Sequence, residues 1–103
     1  MGVIGGTVIF TWLNKQGVKS DSGFVVQFTG RFTCEYSEGG KRVEIAVESG
    51  FSAGKPCISI SKDAFAKWAP PRAFYETPKE EQDRLMKNFK DAIEFQGLAL
   101  IVY

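Results

Sequence analysis

Few residues in this chain of 103 could do chemistry. There is no histidine. The most used general acid–base group, the orienting base of nucleophile triads and the commonest metal ligand are therefore missing together. Cys34 and Cys57 are the only cysteines, with no second pair to complete a zinc site. Each lies in an apolar, β-like run, where a buried inert thiol is the ordinary reading; whether the two meet is left open. Glu44 and Glu48 alternate along the wet side of one strand-like run, roughly 13 Å apart at strand rise, too wide for an acid–base pair. Glu80, Glu81 and Asp83 fall where a helix begins, and there negative charge complements the helix dipole. The glycines of GVIGG at 2–6 precede a strand rather than a helix, so they lack the helix N-terminus that holds a phosphate. The expectation is a protein that is not an enzyme, with no catalytic set, no cofactor and no metal.

What remains is a recognition chemistry. In KWAPPRAFYETPKEE (67–81) two prolines stiffen a corner that carries Trp68, Arg72, Phe74 and Tyr75, residue types in which interfaces concentrate their energy. The plainer alternative is that Phe74 and Tyr75 fold back over the end of the core, and the residues alone leave the two level. Thirteen basic and twelve acidic side chains give a net charge of +1, short of the field that non-specific nucleic-acid binding needs. RFTCEY (31–36) places aromatics on a strand, but Phe32 and Tyr36 are in phase with core positions, so stacking of bases is not expected there. The apolar start, MGVIGGTVIFTWL, lacks the cationic flank and cleavage site of a signal peptide, and Gly6 stands where myristoylation wants Ser or Thr. No run reaches the eighteen or so apolar residues of a membrane span. A cytoplasmic protein without a membrane or nucleic-acid partner is expected.

The elements that must position these residues are legible as patterns. Thr7 to Leu13 is a β-rich run closed by NKQG at 14–17. From Phe24 to Tyr36 the even positions are apolar apart from Gly30 and the odd ones mostly polar, which predicts one long strand with a bend at Gly30. SEGG at 37–40 turns the chain, and Val43, Ile45 and Val47 resume the apolar face. Two registers keep the faces together. Pairing Tyr36 with Val43 sets Glu35 against Glu44, whereas a shift of two sets Glu35 against Arg42 and Phe32 against Ile45; charge favours the second. Gly50, Gly54 and Pro56 predict a loop before the strand CISIS (57–61). Ser61 then caps a short helix carrying Phe65 and Trp68, ended by Pro70 and Pro71. Thr77, Pro78 and Glu80 form a capping box for the principal helix. Leu85, Phe89 and Ile93 make its apolar stripe, with Met86 and Ala92 beside them. Asp83 and Lys87 are spaced to pair, and Gly97 stops the helix. Leu98 to Val102 is all apolar, as an interior strand is. The predicted fold is a single α+β domain over 1–103. It has two layers, with a mostly antiparallel sheet covered by one long C-terminal helix plus a short helix.

ISISKDAFAKWAPP, followed by TPKEEQDRLMKNFKDAIEFQGLALIVY, resembles a family of small bacterial immunity proteins, the one catalogued as immunity protein 74. The likeness lies in a short strand, a segment ending in Trp68-Ala69-Pro70-Pro71, a capped charged helix closed by Phe95-Gln96-Gly97, and a terminal strand. The hairpin FTCEYSEGGKRVEIAVES is similar in outline, and the likeness spans about residues 31–103. It implies a cytoplasmic protein that binds and neutralises a cognate toxin domain by direct contact, in systems of contact-dependent growth inhibition. The toxin-binding candidates are then Trp68, Arg72, Phe74 and Tyr75, with Glu44 and Glu48, or the Glu80, Glu81 and Asp83 cluster, as acids for a cationic cleft. A homodimer stays open. So do a small nucleic-acid-binding module built on Lys15, Lys19, Arg31, Lys41 and Arg42, and an oligomeric adaptor.

Overall fold

The computed structural model describes residues 9–68 and 77–103. In these the chain is α+β, with eight strands in two sheets and one helix. The first sheet is an antiparallel meander of β1 (Phe10–Asn14), β2 (Gly17–Ser20), β3 (Phe24–Gly30), β4 (Thr33–Glu38) and β5 (Lys41–Ala46), in that spatial order. The second holds β6 (Glu48–Ser52), β7 (Lys55–Ile60) and β8 (Ala99–Val102), with α1 (Lys79–Phe95) between β7 and β8 in sequence. β7 and β8 run parallel, a pairing that needs a crossover of a dozen residues or more. The helix lies within that crossover.

The turns decide this topology. The expected long strand over 24–36 is a hairpin, β3 against β4, reversing at Arg31 and Phe32. Val26 pairs with Tyr36 and Phe28 with Cys34, so even positions oppose even positions and the alternation runs through the turn without a change of phase. Gly30 marks a register shift, as a bulge would. Phe32 sits in the reversal and is 63% exposed, not on the core face. At 37–42 the register is the one charge disfavours, with Tyr36 opposite Val43 and Glu35 opposite Glu44. Gly39 and Gly40 form the two-residue loop, at φ 56° and 80°. The alternative register would put Glu38 in a left-handed position that costs a side chain about 1 kcal/mol. Arg42 still reaches Glu35 diagonally, at 3.2 Å.

The expected loop at 50–56 is instead the hairpin of β6 and β7, turning at Ala53 and Gly54. The predicted run from Val43 to Ser49 is divided at Val47, which is buried while the chain passes from one sheet to the other. At 61–66 there are successive turns (Ala64 N–H to Ser61 O, Ala66 N–H to Asp63 O) where a short helix was expected. β8 lies at the edge of its sheet among the described strands, although its composition is that of an interior strand.

The helix keeps its predicted stripe: Leu85, Phe89, Ala92 and Ile93 are buried. They join Val18, Phe24, Val26, Cys34, Tyr36, Val43, Ile45, Ile58, Ile60 and Phe65 in one core. The capping box is not formed. Pro78 is the residue preceding the helix and no side chain caps it; the Thr77 hydroxyl is buried without a partner among the described residues. The Gln82 side chain donates instead to the Thr77 carbonyl at 2.7 Å. Asp83 pairs with Lys79 and not with Lys87, which takes Asp91. At the other end Gly97, at φ 85°, closes the helix as expected. Its N–H bonds Glu94 O and that of Leu98 bonds Ile93 O, the paired bonds of a Schellman motif.

Candidate functional site

The hairpin of β4 and β5 brings Glu35 and Glu44 side by side on the solvent face of the first sheet. Residues directly opposed on one face of an antiparallel pair have Cβ atoms about 5 Å apart, and like charges there are unfavourable. Arg42 engages Glu35, whereas Glu44 and Glu48 are exposed and have no ion-pair partner among the described residues. Glu48 opens β6, two residues beyond the end of β5, so the two acids belong to different sheets rather than to one strand. Trp68 is 5% exposed and packs in the core, with the Lys41 ammonium 4.7 Å from its ring centroid. Arg72, Phe74 and Tyr75 lie outside the described residues.

A second polar group stands where the β4–β5 turn meets α1. Glu38 accepts two hydrogen bonds from Arg84, at 2.9 and 2.8 Å, and one from the Tyr36 hydroxyl at 2.6 Å. Asn88 donates to the Tyr36 oxygen at 3.0 Å, and Arg84 also reaches Glu81 at 3.2 Å. The Arg84 guanidinium holds the Glu38 carboxyl below its usual range. Burial, then the bond to Glu38, raises the Tyr36 phenol above its ordinary value. A bidentate guanidinium–carboxylate pair with a phenolic donor is a charge-assisted network that fixes geometry. It clamps the helix to the end of the hairpin. Beside it Ser22, Gly23, Phe24, Gly39 and Asn88 help line an open cleft of about 550 Å³. Cys34 and Cys57 are free and buried, and burial pushes the Cys34 thiol up to about 12, which leaves it without the thiolate that reactivity requires.

No family model, curated protein or solved structure matches the chain. Its surface chemistry must therefore be read from its own residues. Sequence patterns singled out Glu44 as a candidate but not its neighbour Glu35, because charge favours the register that keeps the two apart, and the hairpin takes the other. They missed the Glu38–Arg84 bond entirely, since its partners are far apart in sequence and neither carries a local signal. They also missed Phe51, the most exposed large apolar side chain among the described residues, at 78%. Its signal was present in ESGFSAG, an aromatic flanked only by small residues, with Ser49 and Ala53 and no large apolar partner two positions away.

Proposed function

We propose that the protein is an immunity protein that binds a cognate toxin domain and neutralises it by direct contact. The observation that carries this reading is the Glu35–Glu44 pair, with Glu44 exposed on the sheet face and without an ion-pair partner among the described residues. Like charges held in opposed positions cost folding stability, and a cationic partner surface would relieve that cost on binding. The acids thus favour a toxin whose working cleft is basic, and long-range attraction speeds encounter and selects the partner. Glu48, exposed at the start of β6 in the other sheet, is a second candidate acid. The resemblance to immunity protein 74 supports the class of partner, and a cytoplasmic site of action follows from it. In this reading Arg72, Phe74 and Tyr75 add the anchoring aromatic and guanidinium contacts.

The test is co-expression with the polypeptide encoded immediately upstream of this chain's gene. Relief of that polypeptide's toxicity, together with a co-purifying complex, is the expected result. Glu44→Lys should raise the urea midpoint of the isolated protein, by about 0.5 kcal/mol in stability. The same change should slow association about tenfold at low salt, with the difference shrinking as salt rises. A harmless upstream product, or one that does not associate, would remove the immunity assignment.

A further inference from the structure

The β6–β7 hairpin extends past the body of the protein. Every residue from Glu48 to Pro56 is exposed, yet β6 and β7 keep a continuous register over five pairs, from Glu48 with Ser59 to Ser52 with Lys55. Cys57 and Ile58 then enter the buried part of β7. Ser49 is opposite the buried Ile58 and Phe51 is opposite Pro56, so by strand alternation the ring continues the core-facing side beyond the point where the core ends. Ser49, Gly50, Ser52 and Ala53 around it are too small to cover a phenyl group. The turn holds Ala53 at φ 52° and Gly54 at φ 78°, the paired positive angles of a tight hairpin turn. The alanine is kept in a left-handed conformation that disfavours it.

We propose that this hairpin is an arm whose Phe51, with Pro56 beside it, inserts into an apolar pocket of the toxin domain. The inference rests on the immunity reading and names the anchor of that contact. The arm's strands are already paired before binding, so less backbone freedom is lost when the ring is buried. From Ser49 to Gly54 the tip is uncharged, so the pocket that receives it is apolar and concave, with no counter-charge. Among the described residues, the cleft that a second copy of this chain offers does not suit the ring. That cleft, beside α1, is rimmed by Ser22, Glu38, Arg84 and Asn88, which would strand polar groups under a phenyl ring. Aromatic anchors of this kind carry a large share of interface affinity when they fill a desolvated pocket.

The experiment measures binding of the upstream-encoded polypeptide, made catalytically inactive, to the wild-type chain and to Phe51→Ala, Phe51→Ser and Phe32→Ala. Because Phe51 touches no core, its variants should melt as the wild type does while binding about 30-fold more weakly. Phe32→Ala, an exposed aromatic in a different turn, should bind unchanged. Wild-type affinity in both Phe51 variants overturns the arm and leaves the immunity reading standing. If the wild-type chain itself does not bind, both fall together. A Phe51→Ala melting temperature well below that of the wild type would show that the ring packs inside the protein, and that also overturns the proposal.

Discussion

Glu38 shows how one side chain can hold two elements together. It sits at the end of β4, against a guanidinium on α1, a phenol from its own strand and the glycine turn that follows. Its carboxyl lies below the ordinary value because of Arg84. It therefore stabilises the fold above the unfolded carboxyl's pKa, about 4.3, and that stabilisation is lost as pH falls through the folded value. Arg84→Gln should cost about 1 kcal/mol at neutral pH, a modest figure because the guanidinium is half exposed to water. The gap between variant and wild type should narrow in urea titrations repeated at acid pH. If it persists unchanged there, Arg84 contributes by packing its aliphatic stem and not through the ion pair.

Among the elements, the β4–β5 turn has the widest consequences. Two consecutive glycines at positive φ fix a two-residue loop, the loop fixes the register, and the register sets Glu35 beside Glu44. A Cβ at Gly40 would meet nothing within 4 Å, so Gly40→Ala tests the backbone alone. It should cost about 1 kcal/mol by chemical denaturation. No loss would mean that the turn relaxes into another type, and the Glu35–Glu44 pairing should then be lost from cross-strand nuclear Overhauser contacts. Local chemistry was less decisive at the start of α1. Thr77 has the side chain of an N-cap, but its hydroxyl is buried and its N–H bonds Ala66 O, so the tertiary position of the entering chain overrides capping preference.

On the scale of the whole molecule, one core joins both sheets to the helix; Cys34 is part of it, and Cys57 is buried on β7 outside that cluster. Cys34, pushed up to about 12 by burial, is fully enclosed on β4, and Cys57 is 5% exposed on β7. Neither should react with Ellman's reagent in the native protein at mildly alkaline pH, and both should react at once in guanidinium. Labelling should proceed at the rate of global unfolding. A fast native reaction at Cys57 alone would show that the second sheet opens independently of the first.

The α+β class, the helix stripe, the Gly97 stop and the strands β1, β5, β7 and β8 were legible in the sequence, because each rests on contacts between near neighbours or on a repeating period. By contrast, β2 and most of β6 fell in stretches that read as turn or loop. The division into two sheets was not legible either. Period-two alternation is the same for one strand as for a hairpin whose opposed positions are both even, so the fold at Arg31–Phe32 leaves no trace in the pattern. β8 has the composition of an interior strand, yet strand order is set by which elements the helix crossover can reach. The register of Glu35 and Glu44 was written in Gly39 and Gly40, but reading it meant weighing a backbone cost of about 1 kcal/mol above a surface charge repulsion of less than that. Glu38 with Arg84, and Phe51 beyond the edge of the core, depended on how distant segments come together, and only the tertiary structure decides that.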